Sequence, residues 1–487
     1  MNIDLENFLN DLNTFGRNKL WENIITNINN NILPYKIDIK DIPFLYELCF
    51  DIENKRNNSI FYTPLDTATV MSEYLYKLPQ DTVCDICSGC GNLILSYLDF
   101  IGKDKAIELL NSGNVYLYDT DELAMRVCVA TIKYLYGVES VNNLHTDTRD
   151  FLNKEVILPN NCKVISNPPY GSKDNKDTQE LYCAFIEKIL KNSCASVLLT
   201  PFNFLNGDKY YRIRDLMNNY NGFILPFDNV PSGVFNANIE KENTNNKISV
   251  RACLIITENN DNVKGYKVSG IIRFNASERD NIMSVKTLNK FIPTKYQVVD
   301  KYNNRYYRKC FDKLEIVYND YTKNAVPLIR LVEFNNTEDR CIYMVNTCRY
   351  YTVATKYKPK RDGKIPIAVS MEWEYPIYAV LNSSFAYWWW RMYDGNITYP
   401  MYLLKKLPIP KSLLNNEELN AVVEEMISKE KDFLSYVKNK NKVQETVKFD
   451  TCYRNMLDNI ILKSIGSIYD YNVFELIHTN NNMEFYL

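Results

Sequence analysis

Four short apolar segments in the first half of the chain each carry a polar residue at or near their end. A turn with Gly89 and Gly91 follows the first segment, and helical runs cover residues 93–98 and 123–136. Strands that alternate with helices predict a parallel sheet, whose carboxyl edge collects the residues at the strand ends. A single Asp in such a place is often only a helix N-cap. The ordered set instead predicts one site, formed by Asp85, Asp119, Asp147 and Asn167.

The rest of the chain shows three other patterns. Residues 1–50 look helical, with apolar side chains spaced for one face at Phe8, Leu12, Phe15, Leu20 and Trp21. From Tyr266 to about Pro410 short strands and turns are expected, and beyond them helices over 417–438 and 452–465. The predicted division is a helical segment (1–50), an α/β domain (51–262), an α+β domain (263–411) and a C-terminal helical segment (412–487).

Charge is unevenly distributed along the 487 residues. The formal net charge is −2, but residues 264–411 hold 25 Lys+Arg against 13 Asp+Glu, which gives this segment +12 and leaves −14 for the rest. Tyrosines alternate with cations in this segment, at residues 305–309, 349–351 and 356–361. Cations and aromatic rings in this arrangement suit phosphates and bases, so a polyanion is the expected partner.

The cysteine and histidine content limits which metal sites and catalytic sites the sequence can form. Thirteen cysteines without a visible signal peptide indicate a reducing cytosol, and no apolar run approaches the length of a membrane span. Cys84, Cys87 and Cys90 have a spacing seen in metal sites, but Cys84 belongs to a strand and no fourth ligand is suitably placed. Only two histidines are present, which disfavours zinc sites and Ser-His-Asp hydrolysis, and a P-loop motif is absent. No metal is expected.

The tetrapeptide Asn167-Pro168-Pro169-Tyr170 carries the most specific chemistry. The Asn167 side-chain oxygen and the Pro168 carbonyl are two acceptors that suit the hydrogens of a planar exocyclic amine, and they would localise its lone pair on nitrogen. The two prolines fix the backbone that presents these acceptors. Tyr170 supplies a ring on which a base can stack. The tetrapeptide therefore indicates methylation of an amino group on a base.

With these motifs the sequence resembles the gamma-class DNA adenine-N6 methyltransferases of type II restriction–modification systems. The matching residues span about 55–260 and begin with Phe61-Tyr62-Thr63-Pro64, a motif that contacts the methionine part of S-adenosylmethionine in that family. The family also has a second aromatic residue against the flipped base, which Phe235 matches. The resemblance implies cofactor contacts from Tyr62, Thr63, Pro64, Asp85, Cys87, Gly89, Gly91, Asn92, Asp119, Thr120, Asp147 and Asn167. Cys87 and Cys90 depart from the small residues that are commoner in the family's glycine loop.

The resemblance also implies a fold and a function. The expected fold is a Rossmann-like S-adenosylmethionine-dependent methyltransferase core followed by an α+β target-recognition domain. Residues 381–391 and 407–410 resemble, more loosely, the end of such a domain, although Trp388, Trp389 and Trp390 also fit the core of a helix. The implied enzyme is a site-specific adenine methyltransferase that flips its target from double-stranded DNA, acts as a cytoplasmic monomer on DNA, and has a separate cognate restriction endonuclease.

Two other functions fit parts of the sequence. Methyltransferases that act on RNA, or on a glutamine amide in a protein, share Asn-Pro-Pro-Tyr. A DNA-binding specificity protein without catalysis fits the basic segment alone. The Phe-Tyr-Thr-Pro motif and the basic extension favour a DNA enzyme over the first alternative. Intact Asp119 and Asn167 favour catalysis over the second.

Overall fold

The computed structural model describes residues 4–49, 63–171, 180–192, 195–236, 250–258, 262–300, 305–336, 340–348, 350–439 and 442–485. The chain forms two compact units, residues 1–306 and residues 307–485. No helix within these described ranges is long and apolar enough to cross a membrane.

The first unit alternates helices and strands along most of its length. Its helices are α1 (Leu5–Phe15), α2 (Arg17–Asn29), α3 (Ile42–Leu48), α4 (Leu65–Tyr76), α5 (Asn92–Ile101), α6 (Lys103–Asn111), α7 (Glu122–Tyr136), α8 (Leu181–Asn192), α9 (Tyr211–Met217), α10 (Arg279–Ile282) and α11 (Val285–Leu288). Its strands are β1 (Thr82–Ile86), β2 (Val115–Tyr118), β3 (His145–Asp147), β4 (Cys162–Ser166), β5 (Ala195–Pro201), β6 (Asn221–Pro226), β7 (Ala252–Thr257) and β8 (Gly265–Val268).

One sheet of strand order β3-β2-β1-β4-β5-β7-β6-β8 organises this unit. Strands β1 to β5 are parallel, whereas β7 runs antiparallel to its neighbours β5 and β6. The order 3-2-1-4-5 belongs to doubly wound α/β folds, in which ligands bind at the carboxyl ends of the strands. Every residue of β4, β5, β6 and β7 is buried, as expected for a sheet covered on both faces. The predicted Rossmann-like α/β fold is confirmed.

The N-terminal helices pack against α7. Phe8, Trp21 and Tyr46 are buried in one apolar cluster with Val127 of α7. The prediction of a single apolar face was wrong for Phe15, which is 42% exposed. The reason is Gly16, whose φ of 74° ends α1 and starts α2 in a new direction, so the face does not continue through the turn.

The second unit combines helices with short antiparallel sheets. Its helices are α12 (Asp312–Lys323), α13 (Glu374–Asn382), α14 (Ser384–Tyr393), α15 (Met401–Lys405), α16 (Glu417–Lys429), α17 (Thr451–Ser464) and α18 (Glu475–His478). Its strands are β9 (Ala325–Pro327), β10 (Val332–Phe334), β11 (Cys341–Val345), β12 (Ala354–Thr355), β13 (Lys364–Val369), β14 (Pro408–Pro410), β15 (Leu434–Asn439) and β16 (Lys442–Val447). Its sheets have the orders β10-β13-β11-β12, β14-β9 and β15-β16.

Helix α14 is buried along its whole length within the second unit. Trp388, Trp389 and Trp390 are all buried on this helix, which confirms the interpretation of these tryptophans as helix core. The N-cap is Ser383, whose side chain accepts from the backbone N–H of Phe385. The α+β character expected for the C-terminal part of the chain is therefore present, with more helix than the pattern of short strands predicted.

The division of the chain differs from the predicted boundaries. It falls between residues 306 and 307, not at 262/263, because β8 pairs in parallel with β6 and so extends the large sheet. Residues 412–485 belong to the same unit as residues 307–411. The helix predicted over 417–438 was wrong at its C-terminal half: α16 ends at Lys429, and β15 pairs with β16 as a hairpin.

Candidate active site

The carboxyl edge of the large sheet brings the predicted polar residues together. The last residues of neighbouring strands are in register, with Ile86 opposite both Tyr118 and Ser166, and with Tyr118 opposite Asp147. Asp119 and Asn167 each follow directly after one of these strand ends. The sheet therefore places the ends of β3, β2, β1 and β4 side by side, as the sequence predicted.

The turn after β4 is held by hydrogen bonds on both sides of the Asn167 amide. Its Nδ2 donates to Thr63 Oγ1 at 3.1 Å, and its Oδ1 accepts from the Tyr170 hydroxyl at 2.7 Å. The same hydroxyl lies 3.2 Å from the Leu199 carbonyl oxygen. These partners fix the direction of the amide, so the oxygen that the sequence assigned to the target amine has a defined orientation.

The two aromatic residues predicted to sandwich a base are in direct contact with each other. The rings of Tyr170 and Phe235 have centroids 6.0 Å apart and meet edge to face at 67°. A base stacked between two parallel rings needs about 3.5 Å on either side, or roughly 7 Å between them. The structure brings the two residues to one place, but the sandwich requires the rings to become parallel and to move apart.

Thr63 connects the Asn167 turn to the predicted cofactor loop. Its hydroxyl accepts from Asn167, and its carbonyl oxygen accepts from the Asn92 side-chain amide at the start of α5. Pro64 follows as the N-cap residue of α4. Three residues from separate predicted motifs are thereby brought into contact. Tyr62 and Phe61 lie outside the described residues.

The loop after β1 needs a glycine at residue 91 because it packs closely against α7. Gly91 has a φ of 89°, and a Cβ atom there would overlap the Cys128 sulfur, so glycine is required at this position. The backbone N–H groups of Cys87 and Ser88 donate to the Tyr118 carbonyl oxygen at 2.8 and 3.0 Å. Cys87 itself has a φ of 65°, an uncommon conformation for a residue with a side chain.

Asp119 holds the glycine loop against the end of β2. One carboxylate oxygen accepts from the Gly89 backbone N–H at 2.7 Å and the other from the Asp121 backbone N–H at 2.8 Å. Burial raises the pKa of Asp119, while these N–H groups act in the opposite direction. Each carboxylate oxygen keeps a second lone pair for a ligand. Thr120, the next residue, is exposed.

Asp85 is a fully buried acid beneath the loop. One of its oxygens accepts from the Ile94 backbone N–H at 3.0 Å, and Oδ1 has no hydrogen-bond partner among the described residues. Burial is the main reason that its pKa is raised to about 8, and the neighbouring Asp119 adds to the rise. An acid of this kind is protonated near neutral pH and can donate as well as accept.

Asp147 is already paired in the structure. Arg149 binds its carboxylate from two nitrogens, with Nε 2.9 Å from Oδ1 and Nη2 2.6 Å from Oδ2. This guanidinium lowers the pKa of Asp147. The arginine was missed in the sequence, where its position two residues after the acid was the one signal that could have indicated the pairing.

A second missed residue, Arg279, links two predicted motifs. Its guanidinium binds Asp66 at the start of α4, with Nη2 3.0 Å from Oδ1. It also donates to the backbone carbonyl oxygens of Gly233 at 2.9 Å and Val234 at 2.6 Å. Arg279 therefore fixes the loop that carries Phe235 to the helix that follows Thr63. Nothing local in the sequence indicates a bond between residues 213 positions apart.

The basic and aromatic runs of the C-terminal segment differ in exposure. Tyr307 and Lys309 are buried, so the run 305–309 does not offer the surface that its composition suggested. Lys356 is bonded to Glu374. Lys358 and Lys360, in contrast, are exposed. Arg349 lies outside the described residues.

Comparison with known proteins agrees with the motifs. Residues 45–199 match the family model described as N-6 DNA Methylase. The resemblance to the DNA adenine-N6 methyltransferases is confirmed. The Type II methyltransferase M.VspI of Vibrio sp. (strain 343) is 29% identical over 190 residues, which is 38% of this chain and 43% of that protein. The chain thus aligns with less than half of this relative.

Solved structures show more distant similarity. A nuclease-deletion mutant of the Type ISP restriction–modification enzyme LlaGI in complex with a DNA substrate mimic is 11% identical, with a TM-score of 0.45, over 84% of this chain and 60% of that one. A putative class I S-adenosylmethionine-dependent methyltransferase from Listeria monocytogenes is 13% identical, with a TM-score of 0.37, over 53% of this chain and 85% of that one.

Proposed function

We propose that this protein is a gamma-class, site-specific DNA methyltransferase that transfers a methyl group from S-adenosylmethionine to N6 of a flipped-out adenine. The observation that carries the proposal is the oriented amide of Asn167. It lies at the carboxyl edge of the sheet, is fixed by Thr63 and Tyr170, and is connected through Thr63 to the glycine loop. The target amine and the cofactor are thereby assigned to neighbouring parts of one edge.

The residues of the loop after β1 fit a nucleoside cofactor. Asp85 Oδ1 is a buried polar atom without a hydrogen-bond partner among the described residues, and so is available to a ligand. Asp119 has lone pairs left for a ribose diol. We assign the methionine part to Thr63 and Pro64, and the adenine part to Asp147 after Arg149 has moved aside. S-adenosylmethionine, when bound, supplies an electrophilic methyl group.

Asn167 and Pro168 bind and activate the target amine in this proposal. The amine donates its two hydrogens to Asn167 Oδ1 and the Pro168 carbonyl oxygen, which localises the nitrogen lone pair. Oδ1 can keep its bond from Tyr170, because an amide oxygen accepts twice. The acceleration comes from positioning and from these fixed acceptors, without a general base in the strict sense.

Flipping of the adenine places it between Tyr170 and Phe235. Stacking on both faces of the base replaces the edge-to-face contact of the two rings and offsets its energy. The ring of Phe235 has to move away from Tyr170 for this exchange, while Arg279 holds the Gly233 and Val234 carbonyl groups of its loop. The ring of Phe235 is the part we expect to move.

Duplex DNA is the proposed partner of the basic segment 264–411, which belongs in part to each of the two units. The charge of +12 in residues 264–411 and the exposed Lys358 and Lys360 support a polyanionic ligand. We further propose that the protein acts as a monomer on DNA, with a separate restriction endonuclease as its cognate enzyme. Neither RNA nor a protein amide is favoured over DNA by any of the site residues described above.

Transfer of labelled methyl groups tests the substrate class. Purified protein is incubated with radiolabelled S-adenosylmethionine and, in separate reactions, duplex DNA, structured RNA and a mixture of glutamine-containing proteins. The proposal predicts label in DNA alone. Label in RNA or protein supports the corresponding alternative, and DNA binding without transfer to any of the three supports a specificity protein.

A further inference from the structure

A buried carboxylate shared by two arginines lies beside the loop of Phe235. Asp228 is almost fully buried, and its two oxygens accept from Arg251 Nε at 2.9 Å and from Arg273 Nε at 2.8 Å. Among the described residues, this one carboxylate serves both guanidinium groups. One buried carboxylate thereby holds both guanidinium groups at their Nε atoms.

The unused donors of the cluster belong to Arg251. Its Nε is occupied by Asp228, but within the described part of the chain neither Nη1 nor Nη2 makes a hydrogen bond. The side chain is 11% exposed, and Asp228 holds its Nε atom. Arg273, the other arginine bound to Asp228, is more deeply buried, with a side chain that is 3% exposed.

The sheet places Arg251 on the substrate side of Asn167. Arg251 directly precedes β7, whose first residue Ala252 is opposite Pro201, the last residue of β5. Because the strand order is β3-β2-β1-β4-β5-β7, the predicted cofactor residues lie to one side of Asn167 and Arg251 lies to the other. Asp228 begins the loop that reaches Phe235, so the free guanidinium edge lies at the base of the loop assigned to the target base.

We propose that Arg251 binds a backbone phosphate of the nucleic acid next to the flipped nucleotide. A guanidinium fixed at Nε and free at both Nη atoms suits the oxygens of a phosphate, and such contacts position a strand without reading its sequence. The phosphate would pair with the terminal nitrogens of Arg251, which Asp228 leaves unbonded. This inference rests on the proposed function, since it requires a nucleotide in the site.

Arg251→Gln tests the contact, with Lys191→Gln as a control of equal charge. Lys191 is exposed near the end of α8, which leads to the opposite, amino edge of β5. Binding of duplex DNA is measured by fluorescence anisotropy over a range of salt concentrations. Arg251→Gln is expected to weaken binding about ten- to hundredfold at low salt and to lower the salt slope by about 0.9, whereas the control leaves the slope unchanged.

Calorimetry distinguishes two anions that Arg251 could bind, a DNA phosphate and the carboxylate of S-adenosylmethionine. S-adenosylmethionine affinity should be the same in Arg251→Gln and wild type, and a marked loss would assign Arg251 to the cofactor and overturn the inference. A salt slope equal to that of wild type would overturn it as well.

A scan of neutral phosphates needs no variant and remains decisive if Arg251→Gln fails to fold. After the methylated adenine has been mapped, single phosphates around it are replaced by methylphosphonates. Wild type should lose affinity at one phosphate adjacent to that adenine, and uniform tolerance would refute the site. Wild-type protein that methylates no DNA contradicts the proposed function itself, whereas active protein that tolerates every replacement refutes Arg251 alone.

Discussion

Asp119 combines a structural and a proposed binding role in one side chain. Its carboxylate holds the glycine loop through the Gly89 backbone N–H and the start of α7 through the Asp121 backbone N–H. Both bonds leave lone pairs for the ribose diol of the cofactor. Asp119 therefore shapes the glycine loop and, in our proposal, binds the ribose of the cofactor.

Asp119→Ala should weaken S-adenosylmethionine binding. The carboxylate is the proposed acceptor for the ribose diol, so its removal deletes a charged hydrogen bond worth roughly 1.5–3 kcal/mol. Isothermal titration calorimetry measures the effect, and Asp147→Ala provides a comparison at the neighbouring strand. An unchanged dissociation constant for Asp119→Ala would move the ribose contact to another residue.

The positions of single residues at the strand ends were predictable, and their partners were not. The positions of Asp119 and Asn167 were predictable from local sequence. A polar residue that follows an apolar strand of a parallel sheet lies at the carboxyl edge of that sheet. The bond of Asn167 to Thr63, in contrast, joins residues 104 positions apart. The bond of Asp66 to Arg279 joins residues 213 positions apart. Such contacts depend on the packing of the whole unit.

Helices and strands were predictable where the hydrophobic period was sustained. They were missed where contacts with distant residues determine the secondary structure. Helix α7 matches its predicted range closely. The C-terminal half of the helix expected over 417–438 is instead strand β15, because Leu434 packs with Val345 and Val353 and the backbone pairs with β16. Local sequence alone did not distinguish a continued helix from a hairpin over residues 434–447. Pairing with β16 makes this segment a strand instead of a helix.

The exposed lysines of the segment before β13 should contribute to DNA binding, while Lys356 should not. Lys358 and Lys360 are exposed, whereas Lys356 is bonded to Glu374 and its backbone N–H to Glu430. The double variant Lys358→Ala, Lys360→Ala should lower the slope of log affinity against log salt by about 0.9 for each phosphate that the protein no longer binds.

Lys356→Ala is the matched control for this experiment, and it is expected to change thermal stability rather than the salt slope. Anisotropy titrations of both variants check the prediction. A salt slope that changes for Lys356→Ala but not for the double variant would contradict the prediction. It would mean that Lys356, and not the exposed Lys358 and Lys360, binds DNA.

For the molecule as a whole, stability also depends on a buried titratable cluster in the second unit that the sequence did not reveal. Asp458 of α17 accepts from the Ser384 backbone N–H at 2.8 Å and from the Ser384 hydroxyl at 2.6 Å, and that hydroxyl lies 2.9 Å from His478 Nε2. The acid is bonded to the serine, in contrast to a hydrolytic triad, where it holds the histidine. The cluster connects α14, α17 and α18, so its role is structural.

Asp458 should make the stability of the protein depend on pH. Burial raises its pKa from 3.8 to about 7, so the folded state holds a proton that the unfolded chain has already released between these values. Stability from this group is therefore present below about pH 4 and is lost as pH rises toward 7, by a few kcal/mol at most. Asp458→Asn, which keeps an acceptor for the Ser384 N–H, should remove this dependence.

Thermal unfolding of both proteins between about pH 5 and about pH 8 measures the difference. The melting temperature of wild type should fall relative to that of Asp458→Asn as pH increases, with His478 retained in both. Parallel curves across this range would mean that Asp458 is ionised in the folded protein.

The proposed function as a whole depends on the Asn167 amide activating the exocyclic amine of adenine, and the methylated nucleoside itself is the decisive readout. DNA is incubated with S-adenosylmethionine and either wild type or Asn167→Ala, then digested and analysed by mass spectrometry. Wild type should produce N6-methyldeoxyadenosine, and Asn167→Ala should lose at least about a hundredfold in rate, since one fixed acceptor contributes about 3 kcal/mol or more. S-adenosylmethionine affinity should remain nearly the same. A different methylated nucleoside, or turnover of Asn167→Ala within about tenfold of wild type, would contradict this role of Asn167.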